Sequence, residues 1–165
     1  MRRDDIDFRC RVMADGSLVD INPFNAVMEE VKNARRLQSG EIDTAVCDSP
    51  LEGFPRLTAE YGFSPLVAYI PLAYSAYGRT VEFEDPDVDA IVAAQSRMQR
   101  EYLASTTMRL RLGFLDLADA LQQSVTTSPL AYYPSNVHLT AAGHALVAEA
   151  LAPWLTSRLN AENDK

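Results

Sequence analysis

Between Pro65 and Pro71 the chain reads Leu66, Val67, Ala68, Tyr69, Ile70, a near-continuous apolar run with a proline at each end. Proline removes a backbone donor and restricts the residue before it, so the pair marks the limits of one short element. A run this short and this apolar predicts a strand buried on both faces, as in a parallel sheet. Parallel strands need a long crossover, and the downstream sequence supplies one. In "EDPDVDAIVAAQSRMQREYLASTTMRLRL" Asp85 is placed to cap a helix and Pro86 to start it, with acids in the first turn and Arg109 and Arg111 at the end. Its apolar stripe is Val88, Ile91, Val92, Met98, Tyr102 and Leu103. "GFLDLADAL" then predicts a second strand, Phe114 to Leu117, and a short helical stretch. Strand, long helix, strand, short helix, helix is half of an α/β sandwich with a parallel sheet.

The flanking segments are read the same way. "DFRCRVMADGSLVDINP" alternates around Asp15-Gly16 and predicts a hairpin, with Phe8, Cys10 and Val12 on one face and Leu18 and Ile21 at the return. In "NPFNAVMEEVKNARRLQSG", Asn22 caps a helix, Pro23 opens it and Gly40 follows its end, with Val27, Val31, Ala34 and Leu37 as the stripe. "TAAGHALVAEALAPWLTSRL" predicts a closing helix capped by Thr140, with Leu146, Val147, Ala150, Leu151, Trp154 and Leu155 inward. Pro153 should kink or break it. The last residues, "NAENDK", are expected to fray.

At 165 residues the chain has the length of one domain. A net charge of −8 argues against nucleic acid or anionic membrane as partners. No stretch approaches the roughly 18 apolar residues of a membrane-spanning helix, and the N-terminus lacks a signal-peptide core, so a cytoplasmic location is expected for the chain as given. Cys10 and Cys47 make neither a disulfide framework nor a zinc site, and read as buried thiols. No cofactor or metal is expected. Glu82, Glu84, Asp85, Asp87 and Asp89 read as a solvated helix start.

The run "LVAYIPLAYSAYG", the long helix, "GFLDL", and then "YYPSNVHLTAAGHALVAEAL" together resemble the C-terminal half of an SGNH/GDSL-type hydrolase, over roughly residues 60–156. The resemblance implies a partial flavodoxin-like three-layer sandwich with parallel strands, here carrying an extra N-terminal β-hairpin. It also implies the chemistry of esterases and carbohydrate deacetylases. In that family a serine after the first strand attacks an acyl carbon, a closing histidine takes its proton, and an aspartate orients the histidine. The chain is then one domain over 1–165, with the hairpin in 1–22, the α/β portion in 23–158 and a frayed tail in 159–165.

Carried over residue by residue, His138 matches the general base. Asn136 stands where the subgroup that closes with "Y-x-P-x-D-x-H-L-T-x-x-G-H" has the aspartate, and Ser135 where other members of the family place it. An amide in place of the carboxylate typically costs about four orders of magnitude in turnover. Ser49, in "VCDSPLEG", is the nearest match to the family's nucleophile. Yet Ser49, Pro50 and Glu52 also spell an N-cap, a first helical proline and a capping-box acid, with Pro55 as a second place to begin the helix. The candidate catalytic set is therefore His138, Asn136 and Ser49. His144 reads as a helix surface residue. Asp116 reads as a loop-facing acid, the alternative being that it orients His138 across the sheet edge. Tyr69, Tyr74, Tyr77, Tyr132 and Tyr133 read as packing or as a substrate groove.

Three functions follow. The first is an SGNH-hydrolase-like protein acting on a small acyl ester or acetylated carbohydrate, incomplete or inactive as this chain. The second is a non-catalytic binding module built on the same fold, a pseudoenzyme. The third is a self-contained esterase using Ser49 and His138. Without a central first strand, the strand at 66–70 should present an unpaired edge, so the chain is expected to self-associate into a homo-oligomer or to fold the hairpin over that edge.

Overall fold

The structure, a computed structural model, describes residues 10–14, 17–21, 26–43, 48–78, 80–83, 86–123, 130–134 and 138–163. Phe8, Asn22, Pro23, Cys47, Asp85 and Asn136 lie outside them. Strands β1 (Cys10–Ala14) and β2 (Ser17–Ile21) pair antiparallel, with Cys10 opposite Ile21 and Ala14 opposite Ser17. That register leaves two residues for the connection, as the Asp15-Gly16 signal requires. Strand β4 (Val81–Phe83) adds to the other edge of β1, giving the order β2-β1-β4. The hairpin therefore does not cover the 66–70 strand. It has its own third strand, one too short to be read without its partner.

The parallel element is a pair. Strands β3 (Leu66–Tyr69) and β5 (Gly113–Asp116) run parallel, with Leu66 opposite Gly113 and Tyr69 opposite Asp116. Gly113 N–H donates to Pro65 O at 3.1 Å and Leu117 N–H to Tyr69 O at 3.1 Å, which extends the ladder at both ends. The chain is thus of mixed α/β character with a small parallel sheet. The expectation that the 66–70 run is buried on both faces is corrected. Only Tyr69 is buried, Ala68 is exposed, and Ile70 is 45% exposed. Leu66 and Val67 point to opposite faces and are both half-buried, so each face is covered only in part.

Helix α4 (Pro86–Leu110) is the hub. It packs on β3, β4 and β5 and on the helices α1 (Ala26–Gln38), α2 (Asp48–Tyr61) and α3 (Ala73–Tyr77). Val88 and Val92 are buried as the stripe predicts, but Met98 is exposed and Gln95, Thr106 and Thr107 are buried in its place. Thr107 is satisfied by donating to Leu103 O at 2.6 Å. Its burial follows from where α4 meets its neighbours, which overrides polarity. Gln95 Oε1 is buried with no hydrogen-bond partner among the described residues.

Three helices end through a left-handed residue. After α1, Gly40 (φ 74°) donates to Leu37 O at 3.1 Å and Glu41 to Arg36 O at 2.8 Å, the paired bonds of a Schellman motif. Where that motif usually adds a hydrophobic contact, Arg36 Nε meets Glu41 Oε1 at 3.1 Å. After α2, Gly62 (φ 71°) donates to Thr58 O at 2.9 Å, the single-bond form. After α4 the Schellman pattern recurs, with Leu112 donating to Thr107 O at 2.9 Å, but its left-handed residue is Arg111 (φ 58°).

The main core joins Val31 of α1 to Tyr74 and Tyr77 of α3, Val88 and Val92 of α4, and Leu117 with Leu121 from the start of α5 (Ala118–Gln123). Helix α6 (Ala141–Asn163) lays Leu146, Val147 and Ala150 against it. Trp154 sits on Gly113, where an added Cβ would meet its Cζ2 at 2.8 Å. Leu155, expected inward, is 49% exposed. Pro153 does not break α6, and the helix continues to Asn163, past the point of expected fraying.

Candidate functional site

His138 lies in the segment that leads into α6, and backbone bonds fix that segment. Tyr132 and Leu139 form an isolated antiparallel bridge. Tyr133 N–H donates to His138 O at 3.1 Å, and Thr140 N–H to Ala131 O at 2.8 Å. The bridge is riveted to α3 by aromatic side chains. Tyr132 N–H donates to Tyr77 Oη at 2.9 Å, the two rings meet edge to face at 5.7 Å, and Tyr132 Oη–H donates to Pro71 O. Ala131, Tyr132 and Tyr77 are almost wholly buried, so the anchor is dry.

Thr140 closes the arrangement. Its Oγ1 accepts Gly143 N–H at 3.1 Å, the N-cap bond of α6, and donates to Leu130 O at 2.7 Å. Gly143 is required at this place. A Cβ there would stand 2.1 Å from Ala131 O, so only glycine lets the first turn of α6 touch the bridge. His138 itself is exposed. Asn136 and Ser135 lie outside the described residues.

Ser49 is in the first turn of α2, which begins at Asp48, before the expected cap. Its neighbours are committed to α4. Asp48 Oδ1 accepts Tyr102 Oη–H at 2.6 Å and lies 3.6 Å from Arg109 Nη2, while Glu52 Oε1 accepts from Arg109 Nη1 at 3.2 Å. The capping-box acid is thus turned to another helix. Pro55, offered as a second starting point, lies inside α2. The α2 end that carries Ser49 and the cluster that holds Tyr132 meet different stretches of α4. Tyr102 and Arg109 hold the α2 end, whereas Tyr132 shares its cluster with Val88 and Val92, about 15 Å away along the axis from Val92 to Tyr102.

Both carboxylate oxygens of Asp116 are engaged. Its Oδ2 accepts Arg100 Nε–H, and its Oδ1 accepts Ala118 N–H at 2.9 Å, an Asx turn that starts α5. His144 is exposed on α6. Of the five tyrosines flanking the site, Tyr69, Tyr74, Tyr77 and Tyr132 are buried as packing, and Tyr133 is 47% exposed. Arg97 and Arg100, which the sequence reading passed over as part of a generic helix, line two hollows on α4. The signal available was their three-residue spacing on one helix face. Among the described residues no helix is long and apolar enough to cross a membrane. Comparison with family models, with characterised proteins and with solved structures gave no match.

Proposed function

We propose that this chain is an SGNH-hydrolase-like α/β protein that carries the closing histidine of that family at His138 and does not itself turn over esters through Ser49. The order β3, α4, β5, α5, anchored histidine loop and α6 supports reading it as the closing part of a flavodoxin-like sandwich. The observation that carries the second half is the place of Ser49. It lies in the first turn of α2, where the acids on either side of it, Asp48 and Glu52, are tied to Tyr102 and Arg109 of α4. A family nucleophile stands at a strand end, with its base within hydrogen-bond reach. On this reading an acyl ester or acetylated carbohydrate is the substrate class only where another segment or chain supplies the serine.

The test is hydrolysis of p-nitrophenyl acetate by the purified chain beside His138→Ala and Ser49→Ala. All three should match the buffer rate. Turnover by the parent that both substitutions abolish would make Ser49 the nucleophile and overturn the proposal.

A further inference from the structure

A cleft of about 240 Å³ opens between α3, the middle of α4 and α5. Tyr74, Val92 and Ala118 form its apolar base, and Arg97 and Arg100 stand in its wall. A second hollow of about 300 Å³ shares both arginines and reaches Asp116 at the carboxyl end of β5. In open α/β sheets ligands bind outside the carboxyl ends of strands. None of the lining residues belongs to the His138 loop, so this site is separate from the one above.

The arginines are set for an anion. Arg100 spends only its Nε–H on Asp116, whose carboxylate is itself held by Ala118 N–H. The guanidinium is therefore oriented, and its two terminal nitrogens have no partner among the described residues. Arg97, three residues earlier on the same face, is exposed and has no partner among them either. Two like charges at this spacing are unfavourable on a bare helix. A carboxylate held by both would offset that repulsion and use the forked geometry of guanidinium.

The rim sets the rest of the ligand. Asp89 and Asp119 are exposed beside the arginines, with Gln122 and Ser96 between them. With Asp116 already on Arg100, three carboxylates face two guanidinium groups and the site carries one net negative charge, which disfavours a dianion. They also offer acceptors that hydroxyl groups would satisfy. We infer that this cleft binds a small, singly charged carboxylate bearing hydroxyl groups, its carboxylate on Arg97 and Arg100 and its hydroxyls toward Asp89 and Asp119.

Amide NMR titration with glycerate tests this, with glycerol and inorganic phosphate as comparison probes and Arg97→Gln and Arg100→Lys as variants. Glycerate should saturate in the millimolar range, moving the amides of Ser75, Arg97 and Gln122. Each variant should bind about tenfold more weakly while keeping the parent's spectral dispersion. Glycerol and phosphate should each bind at least about tenfold more weakly than glycerate. Failure to saturate, equal binding of phosphate, or affinity unchanged by Arg97→Gln would each overturn the proposal. The ester assay above is indifferent to all three outcomes.

Discussion

Replacing Gly143 by alanine isolates the contact that seats α6 against the histidine loop. In a free helix interior the change would stabilise by about 1 kcal/mol. Here the new Cβ would lie 2.1 Å from Ala131 O and 3.0 Å from its carbonyl carbon, and backbone cannot swing aside as a side chain can. Restoring a carbon–oxygen contact of about 3.3 Å requires α6 and the bridge to part by roughly 1 Å. That movement strains Thr140 N–H to Ala131 O, Thr140 Oγ1 to Leu130 O, and Tyr133 N–H to His138 O. At about 1 kcal/mol for each bond, less the propensity gain, the net cost is about 2 kcal/mol. For a chain of this length the Tm should fall by about 4–8 °C. Gly53 is the internal control, since it lies in α2 with nothing within 4 Å of an added Cβ. Gly53→Ala should raise the Tm by about 2–4 °C. Thermal unfolding followed by circular dichroism at the helical band reads both. If Gly143→Ala were as stabilising as Gly53→Ala, the close approach of α6 to Ala131 would be refuted.

Three further outcomes are expected. Arg111→Gly should stabilise by about 1 kcal/mol in urea titration, because Arg111 occupies the left-handed closing position of α4 and is exposed there; a loss of stability would mean that its side chain has an unrecognised role. Gln95→Met should also stabilise, by about 1 kcal/mol, because Gln95 is 7% exposed and its Oε1 has no hydrogen-bond partner among the described residues; a lower urea midpoint would contradict that. Among the described residues β3 pairs with β5 alone, and Ile70 and Leu72 beside it are exposed. Sedimentation equilibrium should therefore show concentration-dependent self-association, and a monodisperse monomer over a wide concentration range would count against it.

What the sequence made legible was chiefly local chemistry. Pro86 and the acids after it mark the start of α4, Gly40 closes α1, and Thr140 caps α6, because each solves a backbone problem within a few residues. Helix α3 and strand β4 were not legible. The five residues Ala73–Tyr77 form a helix where the rings of Tyr74 and Tyr77 enter the core, and Val81–Phe83 is a strand where β1 gives it an edge. At Ser49 the local code pointed to a cap, yet ion pairs with α4 turned Glu52 away from it. His138 could be singled out from its motif. Its anchoring through Tyr132, Tyr77 and Pro71 depends on residues some sixty positions apart, which no local pattern encodes.

The separation of the strands into two sheets also bears on how the molecule opens. The principal contacts of β1 and β2 are with each other and with β4, whereas β3 and β5 are clamped by α4. Amides of the three-stranded sheet should therefore exchange with deuterium through a partial opening, which leaves the α4-centred body closed. Those of β3 and β5 should wait for global unfolding. The protein then behaves as two cooperative units that meet where β4 packs on α4, and a destabilising change in one is felt less by the other.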